Sequence, residues 1–199
     1  MISRYGFIGC LKLLMSLIYT KLAFRQARLI RLPFDIRNKK AIKIGENFTS
    51  GFGCRIEAYP KKNDSSQILL FGKNVEINDY VHIAAGEKII IGDNVLIASK
   101  VFISDINHGN YSGKDCDSPL SLPNSRKLST NPVVISDNVW IGEGVCVMAG
   151  VTIGIGCVIG SLSVVTKSIP DYSIAVGSPA KVIKKFDFEQ NEWISITES

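Results

Sequence analysis

The chain has 199 residues, of which 46% are hydrophobic and 21% charged, and its formal net charge is +5. This composition is typical of a soluble folded protein, argues against a disordered chain, and allows one or two domains. The mild positive charge indicates either a generally basic surface or one patch that faces phosphate or a membrane. Because the five cysteines include no CxxC pair, neither a disulfide framework nor a zinc knuckle is predicted, and a reducing, cytoplasmic setting is favoured.

Residues 1–32 differ from the rest of the chain and predict a basic amphipathic helix. The apolar run is too short and too interrupted to predict a membrane-spanning helix, and no small-residue cleavage site follows it. The helix could lie on an anionic membrane surface or cap the open end of a solenoid, and both interpretations remain open. Its apolar residues at helical spacing are Phe7, Ile8, Leu11, Leu14, Met15, Ile18 and Leu22, and the interleaved basic residues are Lys12, Lys21, Arg25, Arg28 and Arg31.

A six-residue period governs most of the chain beyond residue 43. Residues 135–170 read as six consecutive hexads, and earlier hexads occupy 44–61, 71–88 and 91–108, fifteen in all. A short strand plus a turn, repeated every six residues, is typical of a parallel β-helix in which three hexads make one triangular coil. The sequence therefore predicts a coil of about five turns. The first places of the last six hexads are all aliphatic: Ile135, Ile141, Val147, Ile153, Ile159 and Val165.

The residues that break the period all follow the third hexad of a coil. They are therefore expected to leave from one corner of the prism, and insertions on one face of a solenoid commonly mark its binding side. The largest insertion, 109–134, is rich in Gly, Pro, Ser and Asn and predicts a protruding loop with no helix of its own. The predicted organisation is a helical cap at 1–40, a β-helix domain at 41–185 and a C-terminal tail at 186–199 that forms a short cap.

Both histidines of the chain, His82 and His108, occupy the outward sixth place of a hexad. His108 also lies at the base of the longest loop, where a histidine of near-neutral pKa could take a proton from a hydroxyl, with Asp105 or Asn107 holding its tautomer. The alternative is a surface histidine without a role. Two histidines on different hexads make catalytic zinc unfavourable, so no metal is expected, and no nucleic-acid-binding motif is present.

Four stretches carry a family resemblance: DINHG at 105–109, NVWIGEG at 138–144, GSPAKVIKK at 177–185, and the pattern between residues 31 and 58. Together they resemble the hexapeptide-repeat acyltransferases, in the galactoside, maltose and xenobiotic acetyltransferase branch. The chain is most similar to the O-acetyltransferases of bacterial O-antigen and capsule synthesis.

This resemblance implies an all-β, left-handed parallel β-helix that forms a homotrimer with active sites between subunits. It implies acetyl-CoA as co-substrate and His108 as the base. Residues implied to flank the pantetheine arm are Trp140 and Gly142, with Ser161 offering its backbone; those near the nucleotide end and phosphates are Thr166, Lys167, Lys181 and Lys184; those on the acceptor side are Asn78 and His82.

The expected function is acetyl-CoA-dependent O-acetylation of a saccharide used in surface polysaccharide synthesis. A basic N-terminal helix would suit a lipid-linked acceptor and peripheral contact with the inner face of the membrane. Three alternatives stay open: N-acetylation of an amino sugar, a non-catalytic β-helix scaffold, and a γ-type carbonic anhydrase.

Overall fold

The computed structural model describes residues 2–62 and 64–196. It contains one α-helix, α1 (Ile2–Ala23), which is interrupted by non-helical backbone at Gly6. Single 3-10 turns occur at Lys39–Ala41 and Pro123–Ser125. Of the predicted tail at 186–199, residues 197–199 lie outside the described part of the chain. The strands, in chain order, are β1 (Leu29–Ile30), β2 (Phe34–Arg37), β3 (Ile42–Lys43), β4 (Thr49–Ser50), β5 (Cys54–Ala58), β6 (Leu69–Phe71), β7 (Glu76–Ile77), β8 (His82–Ala85), β9 (Ile89–Ile91), β10 (Leu96–Ile97), β11 (Phe102–Ser104), β12 (Ile106–His108), β13 (Leu128–Thr130), β14 (Val133–Ile135), β15 (Trp140–Ile141), β16 (Cys146–Val147), β17 (Thr152–Ile153), β18 (Val158–Ile159), β19 (Val164–Val165), β20 (Ser173–Val176), β21 (Lys181–Asp187) and β22 (Glu192–Ser195).

Three parallel sheets are built by strands that visit them in turn. Sheet A has the order β1-β4-β7-β10-β15-β18-β20, sheet B the order β2-β5-β8-β11-β16-β19, and sheet C the order β3-β6-β9-β14-β17. The aliphatic first places stack in register: Ile97 pairs with Ile141, and Ile141 with Ile159. All three are buried in one continuous hydrophobic core. The six-residue period therefore predicts the stacking correctly, since each period supplies one inward aliphatic residue per strand.

The parallel sheets begin one coil earlier than the period indicates. β1 pairs with β4 and β2 pairs with β5, so sheet B contains six strands where about five coils were predicted. In this first coil Ile30 and Ile36 pair with the first-place residues Ser50 and Ile56 and are six apart, but Ile44 follows only after eight residues, and this break conceals the coil. The division of domains at residue 41 stays a prediction, but strand pairing itself starts at Leu29.

Two hydroxyl groups of helix α1 accept hydrogen bonds from the backbone at the first edge of sheet A. The backbone N–H of Ile30 donates to Thr20 Oγ1 at 2.8 Å, and the N–H of Leu32 donates to Ser16 Oγ at 3.1 Å. Both hydroxyl residues are buried. Because the N–H groups of an edge strand otherwise offer a template for pairing with another chain, these two bonds protect the first strand of the coil.

The apolar residues of α1 share one face, as predicted, but that face points away from the protein. Phe7 and Leu22 are 77% and 78% exposed. The helix is less amphipathic than predicted, because the opposite face carries mainly the small and hydroxyl residues Gly9, Ser16 and Thr20, with Lys12 beside them. The prediction that the run is too short and too interrupted to span a membrane is wrong, since the 19 residues Tyr5–Ala23 of the described helix are long enough and apolar enough to do so. Buried core helices and N-terminal signal sequences have the same length and composition.

The insertions leave from one corner, between sheets B and C, as predicted. Ten residues separate β5 from β6 and twenty-eight separate β11 from β14, whereas the links at the other two corners of these coils have three to five. The short insertion between β8 and β9 is taken up by longer strands, so that link has only three residues. The longest insertion starts at Asp105 rather than after His108. Its ends form an antiparallel hairpin of β12 and β13, so it contains strand structure and one 3-10 turn where an extended, protruding loop with no helix of its own was predicted.

The C-terminal end is closed by a second hairpin. β21 pairs antiparallel with β20 at the edge of sheet A, and β22 pairs antiparallel with β21. The rings of Phe186 and Trp193 pack at 5.2 Å, with Phe188 at 5.0 Å from Phe186. The residues predicted as a short terminal cap are therefore, up to residue 196, mainly strand.

Candidate active site

A cavity of about 390 Å³ opens where the longest insertion leaves sheet B. Its walls come from three neighbouring strands of sheet B and from the β12–β13 hairpin. It brings the two histidines of the chain to one place, although 26 positions separate them in the sequence. The lining residues are Glu57, Tyr59, His82, Ala84, Phe102, Ser104, Ile106, His108 and Leu128.

His108 ends β12 and pairs with Leu128 of β13, so the hairpin fixes its backbone. The phenol of Tyr111 donates a hydrogen bond to the His108 carbonyl, and Arg126 donates to that phenol oxygen at 2.9 Å. The His108 side chain is exposed at the cavity wall. A neutral imidazole in this position can accept a proton from a bound hydroxyl.

The role predicted for Asp105, holding the His108 imidazole, is not what its carboxylate does. Asp105 is fully buried and accepts backbone hydrogen bonds from Gly86 at 2.6 Å, Glu87 at 2.8 Å and Lys88 at 2.7 Å. Both carboxylate oxygens are therefore engaged with the turn of the coil below. Asp105 therefore fixes the point at which the hairpin leaves sheet B.

Asn107 occupies the middle of β12 and pairs with Ser129 across the hairpin. Its side chain is half-buried and makes no hydrogen bond to another described residue. A direct role in orienting His108 therefore stays a prediction.

His82, by contrast, has a carboxylate partner. Its Nε2 lies 2.8 Å from Oε1 of Glu57, whose side chain is only 2% exposed. Arg37 and Arg55 also bind this carboxylate, at 3.1 and 2.9 Å. Burial by itself would raise the pKa of Glu57, but the hydrogen bonds from His82, Tyr59 and Arg55 outweigh it and hold that pKa below its usual value. The carboxylate is therefore charged at neutral pH.

Glu57, Tyr59 and the two arginines were missed by sequence reasoning. The available signal was charge at outward places of a buried strand, in the stretch RIEAY at 55–59. Locating Glu57 beside His82 also requires the register that pairs Arg55 with His82 and Glu57 with Ala84. The hexads at 44–61 and 71–88 already give this register, because Arg55 and His82 are each the twelfth residue of their coil. The hexads do not show that the Glu57 side chain turns toward the imidazole.

The predicted cofactor residues lie on several sides of the prism. Trp140 projects from sheet A and is 51% exposed. Gly142 and Ser161 lie one coil apart at the corner between sheets A and B, in contact, since a Cβ on Gly142 would be 2.6 Å from Ser161 N. A single protomer therefore does not gather these residues into the cavity that holds His108.

The remaining predicted residues are equally dispersed. Thr166 and Lys167 are exposed and follow β19 at the corner that also holds His108, two coils higher. Lys181 and Lys184 lie on β21, at the end of sheet A. Lys181 is exposed and Lys184 is half-buried, and a lysine ammonium group can bind phosphate as a point charge.

Asn78 does not join the histidines. The side-chain amide of Asn78 donates to the Ile97 carbonyl at 3.3 Å. The backbone carbonyl of Asn78 accepts a hydrogen bond from the Cys54 thiol at 3.0 Å. These contacts belong to the corner between sheets A and B. Its predicted contact with the acceptor stays a prediction.

Among residues 2–62 and 64–196, no group of three or more His, Cys, Asp and Glu side chains is arranged to hold a metal ion. The chemistry available in the cavity is that of two imidazoles, one phenol and one buried carboxylate, whose two guanidinium partners are not among the lining residues. Such a set can bind hydroxyl groups and transfer protons.

Known proteins share both the repeat and the whole fold. The family described as "Bacterial transferase hexapeptide (six repeats)" matches residues 132–167. WbbJ of Escherichia coli (strain K12), provisionally assigned as a lipopolysaccharide biosynthesis O-acetyl transferase, is 45% identical over 191 residues, covering 96% of this chain and 95% of that protein. The galactoside O-acetyltransferase of the same organism is 37% identical over 116 residues, covering 58% and 53%.

A solved structure extends the likeness to three dimensions. AntD, an N-acyltransferase of Bacillus cereus solved with dTDP-4-amino-4,6-dideoxyglucose and coenzyme A, has a TM-score of 0.68 at 25% identity and covers 87% of this chain and 90% of its own. The fold and the comparisons define an acyltransferase built on hexapeptide repeats. The chain belongs to the hexapeptide-repeat transferase family, and it is an acetyltransferase.

Proposed function

We propose that the protein transfers the acetyl group of acetyl-CoA to a hydroxyl of a saccharide used in the synthesis of a surface polysaccharide such as O-antigen or capsule. The observation that carries this proposal is the 45% identity to WbbJ over nearly the full length of both chains. The cavity supports it, because its imidazoles and charged groups suit a polar acceptor.

In the proposed mechanism, His108 accepts the proton of the acceptor hydroxyl as the oxygen attacks the thioester carbonyl. The carbon–sulfur bond then breaks, coenzyme A leaves as a thiol after taking up that proton, and the saccharide carries an acetyl ester. A thioester is already activated, so one positioned base suffices, and general-base catalysis contributes about 10²–10⁴-fold.

We propose a homotrimer of left-handed β-helices in which two protomers complete each site. The distribution of the residues supports this arrangement. Trp140 projects from sheet A, whereas His108 stands at the corner between sheets B and C of the same chain. A groove between protomers would bring Trp140, Gly142 and Ser161 of one chain toward His108 of the next, with Thr166, Lys167, Lys181 and Lys184 near the phosphates.

The test is release of free thiol from acetyl-CoA in the presence of a panel of methyl glycosides, followed by mass spectrometry of the product. His108→Ala is expected to lose about 10²-fold or more in kcat. The matched control is Leu120→Ala, a change in the same loop at a side chain that is 93% exposed. Equal turnover by both variants would exclude His108 as the base.

A second candidate is N-acetylation of an amino sugar, and the likeness to AntD favours it. Amino sugars belong in the same panel, and the two candidates differ in the product. An ester is cleaved by mild base and an amide is not, so alkaline lability of the acetyl group distinguishes them.

We also propose that α1 lies in the interface of an anionic membrane at its cytoplasmic face, where a lipid-linked acceptor would be presented. Residues 1–34 contain six basic residues and no acidic ones, and the apolar stripe of α1 is exposed. The hydroxyls of Ser16 and Thr20 tie the helix lengthwise to the first coil. This favours an orientation in the membrane plane over one that spans the bilayer.

Cosedimentation with phosphatidylglycerol vesicles tests the membrane proposal. Replacing Leu11, Leu14 and Ile18 together by Ser is expected to weaken partition about tenfold or more, because three apolar side chains leave the interface. The control changes Leu120 and Leu122, exposed at 93% and 73% in the insertion, to Ser. Unchanged partition of the triple variant would refute membrane binding by this face.

A further inference from the structure

The second imidazole of the cavity is held more firmly than the first. His82 Nε2 lies 2.8 Å from Glu57 Oε1, while Arg37 and Arg55 bind Oε2 of the same carboxylate at 3.1 and 3.0 Å. The ring also packs against Phe102, with 5.3 Å between centroids. The imidazole is therefore restrained by a hydrogen bond at one edge and by an aromatic contact.

These contacts fix which ring nitrogen carries a proton. A charged carboxylate only accepts hydrogen bonds, so Nε2 of His82 must donate. In the neutral ring the other nitrogen, Nδ1, then has a free lone pair. No described residue forms a hydrogen bond with Nδ1, and His82 lines the cavity that also contains His108.

We propose that Glu57 is a positioning residue that fixes His82 so that Nδ1 accepts a hydrogen bond from the saccharide acceptor. The bonded group is a hydroxyl other than the one that is acetylated at His108. This inference rests on the proposed function, because it takes the acceptor to be a polyhydroxyl compound. It adds Glu57, with Arg37 and Arg55 as its counter-ions, to the determinants of acceptor specificity.

The charges around the pair balance, so the free lone pair of the imidazole decides the partner. Arg37 and Arg55 carry two positive charges, and Glu57 and Asp35, which binds Arg37 at 2.8 Å, carry two negative ones. A neutral hydroxyl supplies the donor that the imidazole lone pair requires.

Two substitutions of His82 distinguish a role in binding the acceptor from a purely structural role. The side-chain amide of Asn extends about as far from the backbone as Nδ1 of histidine, and the side-chain amide of Gln extends about as far as Nε2. If Nδ1 binds the acceptor, His82→Gln raises the KM for the acceptor about tenfold or more, as expected for one lost hydrogen bond at a desolvated site, and His82→Asn raises it less. The KM for acetyl-CoA stays unchanged in both variants.

A purely structural role reverses this order. Gln would then preserve the Glu57 contact and behave as wild type, while Asn would lower the free energy of unfolding without a selective change in acceptor KM. Glu57→Gln keeps the volume but removes the charge. It is expected to raise acceptor KM several-fold and to leave the KM for acetyl-CoA unchanged; an unchanged acceptor KM in both Glu57→Gln and His82→Gln would overturn the inference.

The assay uses methyl glycosides of glucose, galactose, mannose and rhamnose, with His108→Ala in parallel. Loss of turnover in His108→Ala together with normal acceptor KM in His82→Gln would support the proposed function and refute the role of His82. If the wild type turns over none of these glycosides, the proposed function fails for them. Calorimetric titration of the same glycosides in the presence of coenzyme A then compares their affinity for wild type and for His82→Gln. An affinity that His82→Gln does not weaken refutes the inference about His82.

Discussion

The carboxylate of Asp105 and the backbone N–H of Lys88 are joined by a hydrogen bond of 2.7 Å, which ties the base of the longest insertion to the turn of the coil below. Two further N–H groups, of Gly86 and Glu87, donate to the same buried side chain. The loop that carries His108 is thus anchored by one acidic residue, since three donors converge on its two oxygens.

Asp105→Asn is expected to lower the free energy of unfolding by about 2–4 kcal/mol, because the amide nitrogen cannot accept a hydrogen bond and leaves buried donors unsatisfied. The measurement is urea denaturation at fixed protein concentration. Asp115→Asn, at an exposed position of the same insertion, is the control and is expected to change stability by less than about 0.5 kcal/mol. Equal stability of the two variants would contradict the anchoring role.

Glu57 gives the protein a pH-dependent contribution to stability. Its folded-state pKa is lowered, so it stabilises the fold above its unfolded pKa of about 4.3 and loses that contribution as the pH falls toward the folded value. The groups that face it are His82, Arg37, Arg55 and Tyr59.

The expected result is that wild type exceeds Glu57→Gln in free energy of unfolding at pH 6–7, and that this difference shrinks between about pH 5 and pH 3. Denaturant melts of both proteins across that range provide the measurement. A difference that stays constant through the acid range would show that the charge of Glu57 is not the stabilising feature.

The buried and the exposed cysteines are expected to differ in their reactivity toward thiol reagents. Burial raises the pKa of the Cys54 thiol to about 11 and also raises that of Cys157, whereas Cys116 is exposed. At pH 8 roughly one Cys54 thiol in a thousand is then ionised, and its sulfur is also inaccessible. Titration with a thiol reagent should modify Cys116 in the native protein, and Cys54 and Cys157 only after unfolding.

Mass spectrometry of the modified peptides checks this assignment. Rapid native modification of Cys54 would contradict the packing of its sulfur against the carbonyls of Gly51 and Asn78. Because Cys116 would consume reagent in a thiol-release assay, Cys116→Ser provides the cleaner background for the kinetic experiments.

The aromatic pair of Phe48 and Phe71 fills the lower coils, with ring centroids 5.0 Å apart and both side chains buried. Phe71→Ala is expected to cost about 3–5 kcal/mol in the free energy of unfolding, because a large cavity remains between stacked coils. Phe188→Ala, at a side chain that is 65% exposed, is the matched control and should cost much less. Thermal and denaturant unfolding would show the contrast, and similar losses would argue against a close-packed core.

The six-residue period by itself determined the parallel sheets, the stacked aliphatic core and the corner from which the insertions leave. Each of these depends only on which residue in six is apolar, and short stretches of sequence show that pattern. His108 could be identified in the same way, because it lies at the base of the longest insertion, where the six-residue period is interrupted. The first coil escaped notice because only one six-residue step, from Ile30 to Ile36, precedes the eight-residue step to Ile44.

Only the tertiary structure decided what Asp105, Glu57 and His82 contact. Asp105 lies three residues before His108 but turns its carboxylate toward residues 86–88. The hexad count places Glu57 in the coil next to His82, but only the structure shows that its carboxylate reaches the imidazole. The direction of the apolar stripe of α1 was likewise undetermined, since helical periodicity gives the face but not what it faces. Such contacts depend on the direction of side chains and on packing between elements, and neither is encoded in the residues of one segment alone.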